Sequence, residues 1–220
     1  MAYVLVLLYG ILFSLLNKFS NKYILILGLL IFLLLILFVL KRKDKLELVG
    51  INKYFLSSSK DIFNYLPILL VVLVNLVFNK SIFLNKVYLD SLLLILITVI
   101  FEEIFFRGYL LKITHFKVKG AFISSALFSI LHIVSVYDNG SIFFIICSLI
   151  FAFVLGLSFS FYYLRDKNIY ILILFHFLIN LSSLTMNDMS LIGIVLSLIS
   201  SIIILVCSYM YFKRLHKKGE

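Results

Sequence analysis

The chain has 220 residues, of which 64% are hydrophobic and only 14% are charged, and its mean hydropathy is +1.19. This composition excludes a water-soluble fold, because the polar residues are too few to cover the apolar surface in water. The net charge of +10 does not indicate nucleic-acid binding, because the Lys and Arg residues lie in short segments between apolar runs. The composition predicts one integral membrane domain over residues 1–220, surrounded by membrane lipids.

Apolar runs bounded by charged residues or by Asn, Asp and Gly predict an all-α, polytopic membrane helix bundle. About eight transmembrane helices are expected, at residues 2–17, 23–40, 63–79, 89–112, 120–136, 141–164, 168–185 and 190–212. The first and third are shorter than the ~20 residues that a straight span needs, and the third contains Pro67 and Asn75. The first run lacks the basic region and cleavage site of a signal peptide, so we expect it to be retained.

The distribution of positive charge supports both short helices. With eight spans, fifteen of the twenty Lys and Arg residues fall on one side, in loops 41–62, 112–120 and 165–168 and in the C-terminal tail. Four fall on the opposite side, and Arg107 lies inside the fourth helix. Because Lys and Arg concentrate on the cytoplasmic side, we expect both termini in the cytoplasm.

Five Glu, Arg and His residues lie inside predicted helices, away from the helix ends, and a charge at the bilayer centre costs at least ~2.5–3.5 kcal/mol. They are Glu102, Glu103 and Arg107 in the fourth helix, His132 in the fifth and His176 in the seventh. At a rise of about 1.5 Å per residue, Glu102, His132 and His176 lie about 15, 18 and 12 Å from the cytoplasmic ends of their helices. Three helices thus place unusual side chains in one thin layer, and we expect these side chains to meet.

The spacing of these residues indicates chemistry. Glu103 and Arg107 are four residues apart, which permits an ion pair within the helix. Glu102 is turned about 100° away from Glu103, so we expect it to face a different neighbour. His176 and Asn180 share a helix face. A carboxylate beside an imidazole can deprotonate water, while a second imidazole and an amide can donate hydrogen bonds to a developing oxyanion. These groups are the ones that amide hydrolysis requires.

Three motifs occur in order, EExxxR in FEEIFFRGYL, FxxxH in LFSILH and HxxxN in FHFLIN. They are formed by Glu102, Glu103, Arg107, Phe128, His132, His176 and Asn180. The set resembles that of the CAAX-prenyl-protease and bacteriocin-processing intramembrane peptidases, the CPBP or Abi family. The resemblance covers about residues 89–187, which we expect to form a catalytic core. Residues 1–88 and 188–220 are expected to add spans and basic cytoplasmic segments.

The resemblance implies an intramembrane endopeptidase that hydrolyses a peptide bond without a covalent enzyme intermediate. Glu102 is expected to be the general base that activates water, and His132 is expected to orient that water. His176 and Asn180 are expected to stabilise the oxyanion.

The resemblance also implies supporting roles, in which Glu103 and Arg107 hold the local architecture and Phe128 packs beside the catalytic histidine. Metal-free chemistry is favoured, and no cofactor is expected. A zinc-dependent version stays open, because two imidazoles and a carboxylate are also a ligand set for catalytic zinc with water in the fourth position. That set consists of Glu102, His132 and His176.

The composition, rich in Ile, Leu, Lys, Asn and Phe, resembles that of a bacterial member from an AT-rich genome. We therefore expect a bacterial plasma-membrane protein with a membrane-associated peptide or protein substrate. The resemblance implies peptide processing or bacteriocin self-immunity as the physiological role. Two other functions stay open, a non-catalytic immunity or scaffold protein and a proton-coupled transporter.

Overall fold

The computed structural model describes residues 63–78, 89–115, 117–136, 141–182 and 191–216, together with positions 27, 28, 30, 31, 34, 38, 50 and 51. Within these residues all regular structure is helical and no strand occurs, so the all-α class is confirmed. The predicted helix 2–17 lies outside the described residues. Six positions of the predicted helix 23–40 are described, and all six are helical.

Six helices follow, each in the place of one predicted interval. They are α1 (Phe63–Phe78), α2 (89–113), α3 (Val118–Val136), α4 (Ile142–Asp166), α5 (Tyr170–Ser182) and α6 (Leu191–His216). Among the described residues, α4 and α6 are long and apolar enough to cross a membrane by length and composition. The part of the chain that the structure describes therefore supports a membrane helical bundle, but it does not show the eight predicted spans. The cytoplasmic position of the termini stays a prediction.

Two of these helices are composite. Helix α1 begins as a 3-10 helix at Phe63–Ile68, which contains Pro67, and continues as an α-helix at Leu69–Phe78. Helix α2 is α-helical at Leu89–Glu103, becomes a π-helix at Ile104–Leu110 and ends in a single α-helical turn at Leu111–Ile113. We call Ile104–Leu110 the π segment.

Local signals explain where α4 begins and ends. The Ser141 hydroxyl accepts a hydrogen bond from the Phe144 N–H at 3.3 Å, which caps the helix N-terminus. At the other end, Lys167 has a φ of 49°, and its N–H donates to the Tyr163 carbonyl at 2.9 Å. This left-handed position usually belongs to glycine, so Lys167 carries backbone strain.

The turn between α2 and α3 is tight. The Thr114 hydroxyl donates to the Leu111 carbonyl at 2.9 Å, and a Cβ added to Gly120 would lie 1.9 Å from that hydroxyl oxygen. Only glycine therefore fits at position 120. The close turn brings together the two helices that carry the EExxxR and FxxxH motifs.

Helices α3 and α4 pack closely through small residues. A Cβ on Gly156 of α4 would lie 3.2 Å from Phe128 Cδ1 and 3.4 Å from Ser125 Cα, both on α3. The Ser129 hydroxyl of α3 also donates to the Leu149 carbonyl of α4 at 2.7 Å. Because Gly156 has no side chain, Phe128 can lie against α4 and still reach the polar residues of α2.

A neutral polar cluster joins α1, α5 and α6, and we call it the Asn75 cluster (Asn75, Ser182 and Ser197). Asn75 is fully buried, and its Nδ2 donates to the Ser182 hydroxyl at 3.1 Å. The Ser197 hydroxyl donates to Asn75 Oδ1 at 3.2 Å. Asn75, a polar residue in the short third predicted helix, therefore joins that helix to two others.

A second set of polar contacts fixes the end of α4. The Tyr65 and Tyr211 hydroxyls both donate to the Asp166 carboxylate. The Arg165 guanidinium lies 3.6 Å from the centre of the Tyr211 ring. These contacts hold α1 and α6 against the C-terminal end of α4.

Candidate active site

Helix α2 positions a buried carboxylate, Glu103, that joins two partners. Glu103 Oε1 accepts a hydrogen bond from Arg107 Nη1 at 2.9 Å and lies 2.7 Å from His176 Nδ1 on α5. Glu103 is 0% exposed and Arg107 is 1% exposed. An ionised carboxylate only accepts hydrogen bonds, so Nδ1 of His176 carries a proton and donates it. The ion pair that the spacing predicted is present, and it also orients His176.

Glu102 approaches the opposite nitrogen of the same imidazole. Its Oε2 lies 3.7 Å from His176 Nε2, beyond hydrogen-bond range. The two neighbouring glutamates thus face the two nitrogens of one histidine, although the helical period predicted different neighbours. The expected meeting of the fourth and seventh predicted helices does occur, and we call Glu102, Glu103, Arg107 and His176 the charged cluster.

His132 reaches this region through Phe128. The His132 Nδ1 lies 2.9 Å from the Phe128 carbonyl, one turn earlier on α3. A carbonyl only accepts, so Nδ1 donates, and in the neutral ring Nε2 is the acceptor. The Phe128 ring centre lies 4.4 Å from that of His132 and 5.7 Å from that of His176. The Phe128 ring therefore contacts both imidazoles, and its carbonyl fixes the orientation of His132.

An aromatic box surrounds the Arg107 guanidinium. Its central carbon lies 4.5 Å from the centre of the Phe128 ring, 5.6 Å from that of Phe159 and 5.9 Å from that of Phe106. Such cation–π contacts are attractive and replace part of the lost hydration. Phe159 also meets His176 edge-on at 5.8 Å.

Sequence reasoning missed Phe159. It lies on α4, which carries none of the three motifs, and it is one of twenty-three phenylalanines in the chain. No charge, spacing or motif distinguishes it from the others. Only the packing of α4 against α3 shows that it contacts the charged cluster.

The π segment was also missed, because the sequence predicts an uninterrupted α-helix there. It begins directly after Glu103 and contains Arg107, and its Phe106 carbonyl accepts a 2.9 Å hydrogen bond from the Ser124 hydroxyl of α3. π-Helical turns are rare and occur frequently at functional sites.

The charged cluster keeps spare hydrogen-bonding capacity. Among the described residues, Glu103 Oε2 and Arg107 Nε are buried without a hydrogen-bond partner. Unsatisfied buried polar atoms are uncommon in a purely structural contact. The arrangement therefore differs from a simple clamp between helices.

Asn180 lies one turn after His176 on α5 and is half-buried. The contacts of His176 given above are with the two glutamates and two phenylalanines. The pairing of His176 with Asn180 around one oxygen atom therefore stays a prediction.

Within the described residues, no three His, Cys, Asp or Glu side chains form a group that could hold a metal ion. The Nδ1 atoms of both histidines are engaged, that of His132 with a backbone carbonyl and that of His176 with Glu103. Zinc-binding histidines usually donate the N–H of their second nitrogen to a carboxylate or a backbone carbonyl, so these Nδ1 contacts are compatible with zinc on Nε2. The zinc set of Glu102, His132 and His176 therefore stays an alternative prediction.

Comparison with known protein families gives a match for part of the chain. Residues 84–182 match the family model described as type II CAAX prenyl endopeptidase Rce1-like. This segment contains α2 to α5 and all seven motif residues. No curated protein and no solved structure matches the chain. The family is membrane-embedded and its members are CAAX-type proteases. The prediction from the three motifs is therefore confirmed over this segment: residues 84–182, which carry all of them, are similar to the type II CAAX prenyl endopeptidase Rce1-like family.

Proposed function

We propose that the protein is a metal-free intramembrane endopeptidase in which Glu102 activates the attacking water. One observation carries the proposal: two buried carboxylates face the two nitrogens of His176, at 2.7 Å and 3.7 Å. The closer carboxylate fixes the ring, which leaves the other beside the ring edge where a proton can be exchanged.

The charge balance of the cluster indicates where that proton lies. Two carboxylates and one guanidinium leave one negative charge unbalanced, and an uncompensated buried charge is costly. One further proton makes the cluster neutral. Because Glu103 already holds the Nδ1–H, the additional proton belongs to Glu102 and His176 Nε2. With the proton on Nε2, Glu102 is a base and His176 is a hydrogen-bond donor.

This protonation state has the two roles that hydrolysis needs. Water between Glu102 and His132 attacks the carbonyl carbon of the substrate, and Glu102 accepts the water proton. The Nε2–H of His176 and the Asn180 amide stabilise the oxyanion. When the C–N bond breaks, Glu102 returns its proton to the leaving nitrogen, so the protein is restored without a covalent intermediate.

The same proposal gives supporting roles to the rest of the cluster. Glu103 and Arg107 hold His176 at the correct angle, and Phe128 fixes His132. We place the protein in a bacterial plasma membrane as a multi-pass protein that cleaves membrane-associated peptides or proteins. Peptide processing and bacteriocin self-immunity are the physiological roles that we propose to test.

The test compares new peptide termini from cells that express wild type, Glu102→Gln or Asp90→Asn at matched levels. Asp90→Asn is the control, since it makes the same acid-to-amide change in the first turn of the same helix. We expect substrate termini from wild type and Asp90→Asn and none from Glu102→Gln. Equal cleavage by wild type and a folded Glu102→Gln would overturn the proposal.

A second arm tests metal dependence and the alternative functions. Purified protein is given a peptide identified in the first arm, with and without a chelator. An unchanged cleavage rate is expected, whereas a loss of cleavage that zinc restores would support the zinc-dependent version.

The alternative functions predict other results. Identical peptide termini from wild type and Glu102→Gln, with full biological activity of the variant, would favour immunity or scaffolding. Flux that depends on a pH gradient, without peptide products, would favour transport.

A further inference from the structure

Ser124 connects α3 to the π segment at a point that none of the motifs includes. It is 1% exposed, and its hydroxyl donates to the Phe106 carbonyl at 2.9 Å. Phe106 immediately precedes Arg107, and its ring packs edge-on against Phe128 at 5.3 Å. The hydrogen bond thus joins the backbone beside Arg107 to the helix that carries Phe128 and His132.

The backbone at this point has an uncommon hydrogen-bonding pattern. A π-helix bonds each N–H to the carbonyl five residues earlier, and such turns occur mostly as short insertions in α-helices. A return to α-helical bonding would rotate Arg107 about the helix axis relative to Glu103. Since Glu103 Oε1 is shared by Arg107 and His176, that rotation would move one partner of the carboxylate that orients the imidazole.

We propose that Ser124 is a positioning residue: its hydroxyl holds the π segment in register and thereby places Arg107, Glu103 and His176. The inference rests on the proposed function, because its effect is measured on peptide cleavage. Ser124 touches no reacting atom. It acts through the backbone of α2.

The neighbouring Ser125 provides a matched control. It is also 1% exposed, but its hydroxyl donates to the Ala121 carbonyl of its own helix at 2.7 Å. Replacement of either serine by alanine removes one buried hydroxyl from the same turn of α3. Only the change at position 124 removes the bond to the π segment.

The experiment measures kcat, KM and the melting temperature of Ser124→Ala, Ser124→Thr, Ser125→Ala and Glu102→Gln in detergent. We expect Ser124→Ala to lower kcat by about tenfold or more with little change in KM, because a small misplacement of catalytic groups strongly slows a reaction. Ser125→Ala is expected to keep the wild-type kcat at a similar melting temperature. Ser124→Thr restores the hydroxyl and is expected to recover most of the rate.

A kcat of Ser124→Ala equal to that of Ser125→Ala would overturn the inference, as would a lower rate that Ser124→Thr does not recover. Should Ser124→Ala fail to fold, Ser124→Cys and Ser125→Cys replace the pair, since a thiol is a weak donor of similar size. Equal kcat values for those two would overturn it as well. Failure of the proposed function is separate, because it shows as an active Glu102→Gln.

Discussion

Two buried polar clusters join helices in this protein, and they differ in how completely their polar atoms are hydrogen-bonded. In the neutral Asn75 cluster, both ends of the amide side chain have serine partners on other helices. The charged cluster concentrates three ionic side chains and a histidine, yet leaves Glu103 Oε2 and Arg107 Nε without partners among the described residues. A cluster that only fastens helices can satisfy its atoms, whereas one that performs chemistry must keep capacity for a substrate, a water or a proton.

The largest expected effect is that of Arg107→Met, which tests whether balanced charge stabilises the charged cluster. Arg107→Met leaves the cluster with one unbalanced negative charge, and removal of one partner from a buried pair costs about 3–5 kcal/mol. We expect the free energy of unfolding in detergent to fall by that amount. The double variant Glu103→Gln/Arg107→Met should recover much of the stability and none of the cleavage. A single variant as stable as wild type would contradict the charge-balance argument.

Asn180 lies on α5 between His176 and Ser182, so its replacement shows which cluster it serves. As an oxyanion donor, it should contribute about 2.7–4 kcal/mol to the transition state. We expect Asn180→Ala to retain weak cleavage, lowered about 10²–10³-fold, with nearly unchanged stability. The measurement is kcat on a purified peptide beside thermal unfolding. Lost stability with a preserved kcat would assign Asn180 to the helix scaffold.

The neutral cluster should affect stability alone. Asn75→Ala removes the acceptor of Ser197 and the donor to Ser182, and an unsatisfied buried group costs about 1–3 kcal/mol. We expect the free energy of unfolding to fall within that range, while kcat per folded molecule stays at the wild-type value. If kcat per folded molecule falls together with the free energy of unfolding, the two clusters are coupled through α5.

The smallest expected effect lies outside both clusters, at Lys167. Lys167→Gly relieves the positive φ, and we expect a gain of about 0.5–1 kcal/mol in unfolding free energy with unchanged kcat. Burial also lowers the pKa of the Lys167 amine from its ordinary 10.5 to about 8. The unfolded chain therefore binds more protons between pH 8 and 10.5, so wild-type stability rises with pH in that window.

The gain in unfolding free energy of Lys167→Gly over wild type should accordingly be largest below pH 8 and become smaller as the pH rises toward 10.5. Chemical unfolding across this range measures the difference. An advantage that grows with pH would contradict the assigned direction of the pKa shift.

Sequence reasoning located the charged cluster because its signals are local. The spacing of Glu103 and Arg107 predicts their ion pair, and the count of residues from each helix end predicts that Glu102 and His176 lie at similar depth. The bond between Glu103 and His176 was not predictable, because 73 residues separate them and helix rotation decides which carboxylate meets Nδ1.

Other features had no sequence signal at all. IFFRGYL has the composition of an ordinary apolar helix, so the π segment cannot be inferred from it. Ser124 and Ser125 are the same residue type side by side, and only the orientation of α3 decides which one reaches α2. The bounds of the six described helices were predictable, in contrast, because charged or turn-forming residues flank the apolar runs.

Helix α5 is held by other helices at two heights, by Glu103 of α2 at His176 and by Asn75 of α1 at Ser182. The Asn168 side chain caps its first turn by accepting from the Tyr170 N–H. A helix fixed in this way cannot slide along its axis. His176 lies six residues after Tyr170, about 9 Å along that axis. In the proposed enzyme, α5 therefore sets the depth at which His176 lies. Substrates would then be selected by how far their scissile bond lies from the membrane surface, with the residues around that bond mattering less.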